Sequence, residues 1–268
     1  AETHVARGAI EFRDVWFRYP GTERDVLRGV SFHLPAGQTI ALVGPTGSGK
    51  STIAGLLTRR YDPTGGEVLL DGVPLRDLPL ARMRAAIAVV PQDAFVFSRT
   101  IRENIEFGLV PGESPDGRVE EATRIARLDE TVRAFPAGFD TRLGERGVNL
   151  SGGQRQRATL ARALVRDAPV LILDDALSAV DTQTETRILR ELRDVLARRS
   201  AIVISHRVSA IINADRIYVL DEGRIAEEGR HADLVAAGGL YATLLRRQLL
   251  AEGLETELVA ADSAEPQT

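Results

Sequence analysis

The stretch Gly44-Pro45-Thr46-Gly47-Ser48-Gly49-Lys50-Ser51-Thr52 leaves the chain few folds to choose from, because a Gly-x-x-x-x-Gly-Lys-Ser loop makes physical sense only where a strand hands over to a helix. That context is present. Thr39-Ile40-Ala41-Leu42-Val43 is short, apolar and partly β-branched, as a buried strand is, and Ile53 to Arg60 can propagate a helix. Gly44, Gly47 and Gly49 allow positive φ, so the loop's N–H groups can converge on an anion while the helix dipole adds partial positive charge. Thr46, Ser48 and Thr52 complete the cradle. Lys50 is placed to reach β- and γ-phosphates, and the Ser51 hydroxyl to ligate Mg²⁺. A glycine-rich turn capped by serine is the plainer alternative, and the flanking strand and helix argue against it.

Composition narrows the partners. The 268 residues, 44% of them hydrophobic, suffice for a substantial core in one large domain or two modest ones. Without cysteine there is neither a disulfide framework nor a thiolate metal site, which fits a reducing compartment, and the 4 histidines have no zinc spacing. A net charge of −4 argues against a nucleic-acid footprint. No apolar run approaches the ~18 residues of a membrane span, and no secretory signal opens the chain. The expectation is a soluble segment, and a start at Ala1 rather than Met suggests one cut from a longer polypeptide.

In chain order, Ile10 to Tyr19 alternates as a half-buried strand and Val26 to Leu34 continues the strand pattern. Glu67 to Pro74 contains Asp71-Gly72, a hairpin signal, and Ile87 to Val90 reads as a buried strand. From about Thr100 to Val165 helical periods separated by Pro-Gly turns predict a helical insertion. Strand patterns return at Val170 to Asp174, Ala201 to Ser205 and Arg216 to Leu220, with a helix over Thr182 to Arg199. This alternation predicts a mainly parallel sheet. His231 to Leu250 reads as two short helices, and residues 251–268, with acids and no base, as a disordered acidic tail.

Two further stretches carry chemistry. Val170-Leu171-Ile172-Leu173-Asp174 puts a carboxylate at the C-terminal end of an apolar strand, where open α/β sheets bind ligands and an acid can hold Mg²⁺; alone, such a strand end is common. Leu150-Ser151-Gly152-Gly153-Gln154 opens a helix. Ser151 and Gln154 satisfy a capping box, but a helix needing only a cap gains nothing from Gly-Gly in its first turn, whereas an anion site needs bare N–H groups there.

With these motifs together the chain resembles the nucleotide-binding domain of ATP-binding cassette (ABC) transporters, from about Ile10 to about Leu250. The resemblance implies an α/β fold of the P-loop NTPase type: a mainly parallel sheet core, an N-terminal antiparallel β subdomain and an inserted α-helical subdomain at about 100–165. The domain would occupy residues 1–250, with a transmembrane domain upstream. The ligands it implies are ATP and Mg²⁺. Ser151, Gly152, Gly153 and Gln154 match the signature that binds the γ-phosphate held by the opposite subunit's loop, so two cassettes sandwich two ATP molecules head to tail. Tyr19 matches the aromatic that stacks on adenine, although an ordinary strand aromatic reads the same way. Gln92 matches the glutamine that senses Mg²⁺ and couples to the membrane domain. Asp181 in Ser178-Ala179-Val180-Asp181 matches the loop that contacts the partner, and His206 the switch histidine on the γ-phosphate. The run from Phe95 to Ile105 and Gly144-Glu145-Arg146-Gly147 look like the exporter branch, in which they face transmembrane-domain helices. The implied location is the cytoplasmic face of the cell membrane.

One residue departs from the family pattern. Where the family usually has a water-activating glutamate after the strand-end aspartate, this chain has Asp175. One methylene less sets the carboxylate back by about 1.5 Å, and a misplacement near 1 Å can cost on the order of 100-fold in rate. The pattern resembles the slow-site subunit of a heterodimeric exporter, partnered by a different subunit with glutamate at that position. A homodimer using Asp175 as base is the alternative. A regulatory module that holds ATP without hydrolysing it, and a soluble DNA-repair or translation ATPase, are the rival functions; the second typically carries a coiled-coil insertion or a second cassette, and neither appears in the sequence.

Overall fold

A computed structural model of the protein describes residues 7–144 and 149–251. In chain order the elements are β1 (Ile10–Arg18), β2 (Asp25–Leu34), β3 (Thr39–Val43), α1 (Lys50–Leu57), β4 (Gly65–Leu70), β5 (Val73–Pro74), α2 (Leu80–Ala86), β6 (Ile87–Val90) and α3 (Ile101–Glu106). They continue as α4 (Arg118–Ile125), α5 (Asp129–Ala134), α6 (Gly152–Leu164), β7 (Val170–Asp174), α7 (Thr182–Leu196) and β8 (Ser200–Ile204). The last are α8 (Val208–Ile211), β9 (Arg216–Asp221), β10 (Arg224–Gly229), α9 (His231–Ala237) and α10 (Leu240–Ala251).

Two sheets result. The larger has the order β10-β9-β3-β8-β7-β6, parallel except for the β9–β10 edge, and the smaller is antiparallel in the order β2-β1-β4-β5. The parallel strands are short apolar runs because both of their faces are covered. In β3, Ile40 and Leu42 point to one core while Ala41 and Val43 point to the other; in β7, Val170 and Ile172 oppose Leu171 and Leu173 in the same way. The first core holds α1 and the inner face of the antiparallel sheet, and the second holds α3 to α7. The period-2 alternation thus sorts the chain into three layers, with β3 at the centre of the sheet between β9 and β8.

The fold is the expected mixed α/β arrangement. Strand β10 is absent from the sequence reading. Its residues Arg-Ile-Ala-Glu-Glu-Gly alternate between exposed and half-buried at the sheet edge, so no apolar run announces it. The turn before it has Glu222 at φ 44° and Gly223 at φ 80°, as a tight hairpin needs. Helix α2 was also unforeseen. Ala251 closes α10 instead of opening a tail, while residues 252–268 and the exporter-type residues Glu145, Arg146 and Gly147 lie outside the described residues.

Candidate active site

The loop between β3 and α1 wraps around its own lysine. The Lys50 ammonium donates to the carbonyls of Gly44 (2.8 Å) and Pro45 (2.9 Å) and, more weakly, to Ser48 Oγ (3.4 Å). Burial lowers its pKa, opposed by the charges of Asp175 and Asp174. Two glycines explain the loop's shape differently. At Gly44 a Cβ would lie 2.2 Å from the Leu220 carbonyl oxygen, so β9 packs directly on the backbone. At Gly47, with φ 82°, a Cβ would meet nothing within 4 Å, so the backbone there faces open space. Helix α1 then starts at Gly49 with no side-chain cap, leaving first-turn N–H groups directed outward.

That space is a groove of about 380 Å³. Thr46, Gly47, Gly49, Lys50, Ser51 and Thr52 line one side, and Tyr19, Gln92, Asp175 and His206 line the others, with Val26. Strand ends bring them together: Gln92 follows β6, Asp175 follows β7 and His206 follows β8, all at the C-terminal edge of the parallel sheet. Tyr19 donates to or accepts from Thr52 Oγ1 at 2.9 Å, and its ring stands edge-on to Phe17 (4.9 Å) and Tyr61 (5.3 Å). It is therefore both a packed strand aromatic and a wall of the groove.

Asp174 is the strongly perturbed acid beside the loop. It is 6% exposed, and its Oδ1 is buried with no hydrogen-bond partner. Burial first, and the Asp175 charge second, push its pKa up to about 6 against the pull of Lys50, a hydrogen bond with Ser51, and Arg60. An orphaned carboxylate oxygen beside a serine hydroxyl is a hard-oxygen donor set suited to Mg²⁺. Among the described residues no group of three or more His, Cys, Asp or Glu could hold a metal, so the ion would complete its shell with phosphate oxygens and water, as Mg²⁺ usually does. Ser51, Asp174 and Gln92 are the residues that would hold it.

Asp175 has φ 44°, a left-handed conformation that aspartate tolerates better than most residues. Its Oδ1 accepts the His206 N–H at 3.3 Å, and its Oδ2 lies 3.7 Å from His206 Nε2. The acid and the histidine therefore face each other across one end of the groove.

The residues of the second helix start lie elsewhere. Ser151 caps α6 in a reciprocal box: the Gln154 N–H donates to Ser151 Oγ (3.2 Å) and the Ser151 N–H to Gln154 Oε1 (2.8 Å). Neither these residues nor Gly152 and Gly153 line the groove. Gly153 corrects the sequence argument in part. A Cβ there would sit 2.8 Å from the Ala179 carbonyl oxygen, so tight packing already requires glycine, while Gly152 would meet nothing closer than 3.6 Å. Asp181 is the N-cap of α7, accepting the Thr184 N–H at 2.9 Å, and is also outside the groove lining. Sequence reasoning overlooked Gln156, Glu185 and Arg207, which join these segments; each is a polar letter in a helix or loop to which the motifs assign no role.

The family model described as ABC transporter matches residues 27–178. An ATP-dependent lipid A-core flippase of Aromatoleum aromaticum is 49% identical over 251 residues, covering 94% of this chain and 42% of that protein. One from Cupriavidus pinatubonensis is 47% identical over 244 residues, 91% of this chain and 41% of the relative. A solved structure described as a bacterial Atm1-family ABC exporter with ATP bound aligns with a TM-score of 0.86 at 45% identity, covering 91% of this chain and 43% of that one. The chain thus spans about two fifths of the length of these relatives.

Proposed function

The chain belongs to the ABC transporter family, and on that premise we propose that it is the ATP-binding and ATP-hydrolysing domain that powers export across a membrane, closing head to tail with a second cassette. The observation carrying this reading is the separation of two helix starts: one opens into the groove with Lys50, Gln92, Asp175 and His206, while Ser151 to Gln154 stand away from it and are available to another cassette's phosphate. Adenine stacks on Tyr19. Lys50 exchanges its loop carbonyls for phosphate oxygens, which charge-assisted bonding favours. Mg²⁺ at Ser51, Asp174 and Gln92 supplies charge neutralisation on the phosphates. His206 reports on the γ-phosphate, and Asp181 meets the partner cassette.

Asp175 stands where the water-activating acid belongs and makes this chain's own site the slow one. Its carboxylate already leans on the His206 N–H and reaches one methylene less far into the groove than glutamate would. The partner in this reading is a different subunit with glutamate at the equivalent place, whose fast site is completed by Ser151 to Gln154 of this chain. Phe95 (50% exposed) and Phe107 (60% exposed), linked through Phe97 at 5.0 and 4.6 Å, offer an aromatic surface suited to helices of a transmembrane domain at the cytoplasmic face. Among the described residues no helix is long and apolar enough to cross a membrane itself.

Asp175→Glu tests the reading in the assembled transporter. ATP turnover is expected to rise about tenfold or more with MgATP affinity unchanged. Because φ 44° suits aspartate better than glutamate, the thermal midpoint is measured alongside. Unchanged turnover, with assembly and binding intact, removes the slow-site reading in favour of a homodimer.

A further inference from the structure

Residues 175–181 run from the acid of the groove to the cap of α7, and side chains from two other elements hold their backbone. Gln156, in the second turn of α6 and 4% exposed, accepts the Ala179 N–H at Oε1 (2.7 Å) and donates from Nε2 to Ser178 Oγ (2.8 Å) and the Asp175 carbonyl (3.4 Å). From the opposite side Arg207, the residue after His206, donates to the carbonyls of Ser178 (3.0 Å) and Val180 (3.2 Å) and to the Glu185 carboxylate. Glu185 is 2% exposed, and its other oxygen accepts the Ser209 hydroxyl at 2.8 Å.

A segment held this way cannot move alone. A buried carboxylate with both oxygens engaged has no alternative in water, so Glu185 fixes Arg207, and Arg207 fixes the carbonyls of Ser178 and Val180. On the other face Gly153 lies against Ala179 with no room for a methyl group, and Gln156 completes the joint. Any shift of Asp175 or His206 when the groove fills is therefore passed to α6, whose first residues are the helix start that stands outside the groove.

We infer that Gln156 and the Arg207–Glu185 pair form a positioning joint through which nucleotide occupancy of this chain's groove sets the geometry of Ser151 to Gln154, and so tunes the site this chain completes in its partner. The inference rests on the nucleotide reading of the groove. Neither Gln156 nor Arg207 lines the groove, so both act through the segment they hold.

The test is hydrogen exchange on this chain with and without MgATPγS, at a concentration where light scattering reports a monomer, so that no partner touches α6. The inference expects protection over residues 44–52 together with a change of about fivefold to tenfold in exchange over residues 151–156. Gln156→Leu should keep the first effect and reduce the second to within about twofold. Removing Arg207 alone would strand a buried carboxylate, so the second variant is the pair Arg207→Met and Glu185→Gln, with the same expectation and with thermal midpoints recorded to establish folding. Protection at 44–52 with no change at 151–156 in the unmodified chain, or a change that survives in both folded variants, overturns the joint and leaves the nucleotide site standing. Absence of protection at 44–52 overturns both.

Discussion

The two glycine-rich helix starts, at α1 and at α6, differ in what they leave unsatisfied. The α1 start has no side-chain cap, keeps its ammonium on loop carbonyls that a phosphate could displace, and lies beside a carboxylate with an orphaned oxygen. At α6 the start is closed by its own Ser151 and Gln154, each satisfying the other's backbone. A helix end with unmet demand is a binding site in a single chain. One that is already capped binds an anion only by giving up bonds it has, so it responds to a ligand that another surface brings.

Lys50→Ala should break the first half of that contrast most severely. It removes the buried cation the loop is folded around, and nucleotide affinity measured by calorimetry should fall by about 100-fold, the scale of a lost charged hydrogen-bonding group. The isolated fold should survive at a cost of about 1–3 kcal/mol, because the change leaves the buried Gly44 carbonyl without its donor.

Asp174→Asn comes next and has two signs. In the folded chain its carboxyl titrates at about 6 rather than 3.8, so between those values the folded state keeps a proton that the unfolded state has lost. Stability from this group therefore falls as pH rises from about 4 to about 6 and stays lost above that range. Replacing the charge should raise nucleotide-free stability near pH 7.5 by about 1–3 kcal/mol in chemical denaturation and flatten that pH dependence. The same change should abolish the Mg²⁺ dependence of nucleotide binding, because the orphaned oxygen is what the ion would take.

Legibility in the sequence follows burial and periodicity. Strand β7 reads as Val170 to Asp174 and β6 as Ile87 to Val90 because strands covered on both faces are apolar throughout, β7 up to the aspartate at its end. Edge strand β10 was invisible because half-exposed Arg and Glu alternate there as they would in a loop. Within the groove, loop residues 44–52 were legible because phosphate binding constrains backbone conformation and hence demands glycine at fixed spacing. The facing of Asp175 and His206 depends on β7 and β8 being neighbours, which local pattern does not carry. Gln156 and Arg207 had no local signal, since their partners, backbone groups of residues 175–180 with the Ser178 hydroxyl and the Glu185 carboxylate, all lie more than 15 positions away.

Ser151→Ala sharpens the second half of the contrast with a smaller effect. It deletes one side of the capping box at an exposed helix start, which costs about 1 kcal/mol, seen as a lower denaturation midpoint. Nucleotide affinity of this chain's own groove should not change, because Ser151 is not among its walls. A fall in affinity comparable to that of Lys50→Ala would mean that the two helix starts serve one site.

Tyr19→Phe is the mildest and separates the two roles of that ring. The phenol hydroxyl bonds Thr52 in the first turn of α1, while the ring is held edge-on by Phe17 and Tyr61. Phenylalanine keeps the packing and the face available to a base, and loses one neutral hydrogen bond worth about 0.5–1.5 kcal/mol. If stacking is what the groove uses, adenine nucleotide affinity should weaken by about threefold or less, whereas Tyr19→Ala should weaken it further and for adenine more than for inorganic triphosphate. Equal losses for both ligands would assign Tyr19 to the support of α1 and the loop, and the adenine would then rest on another wall of the groove.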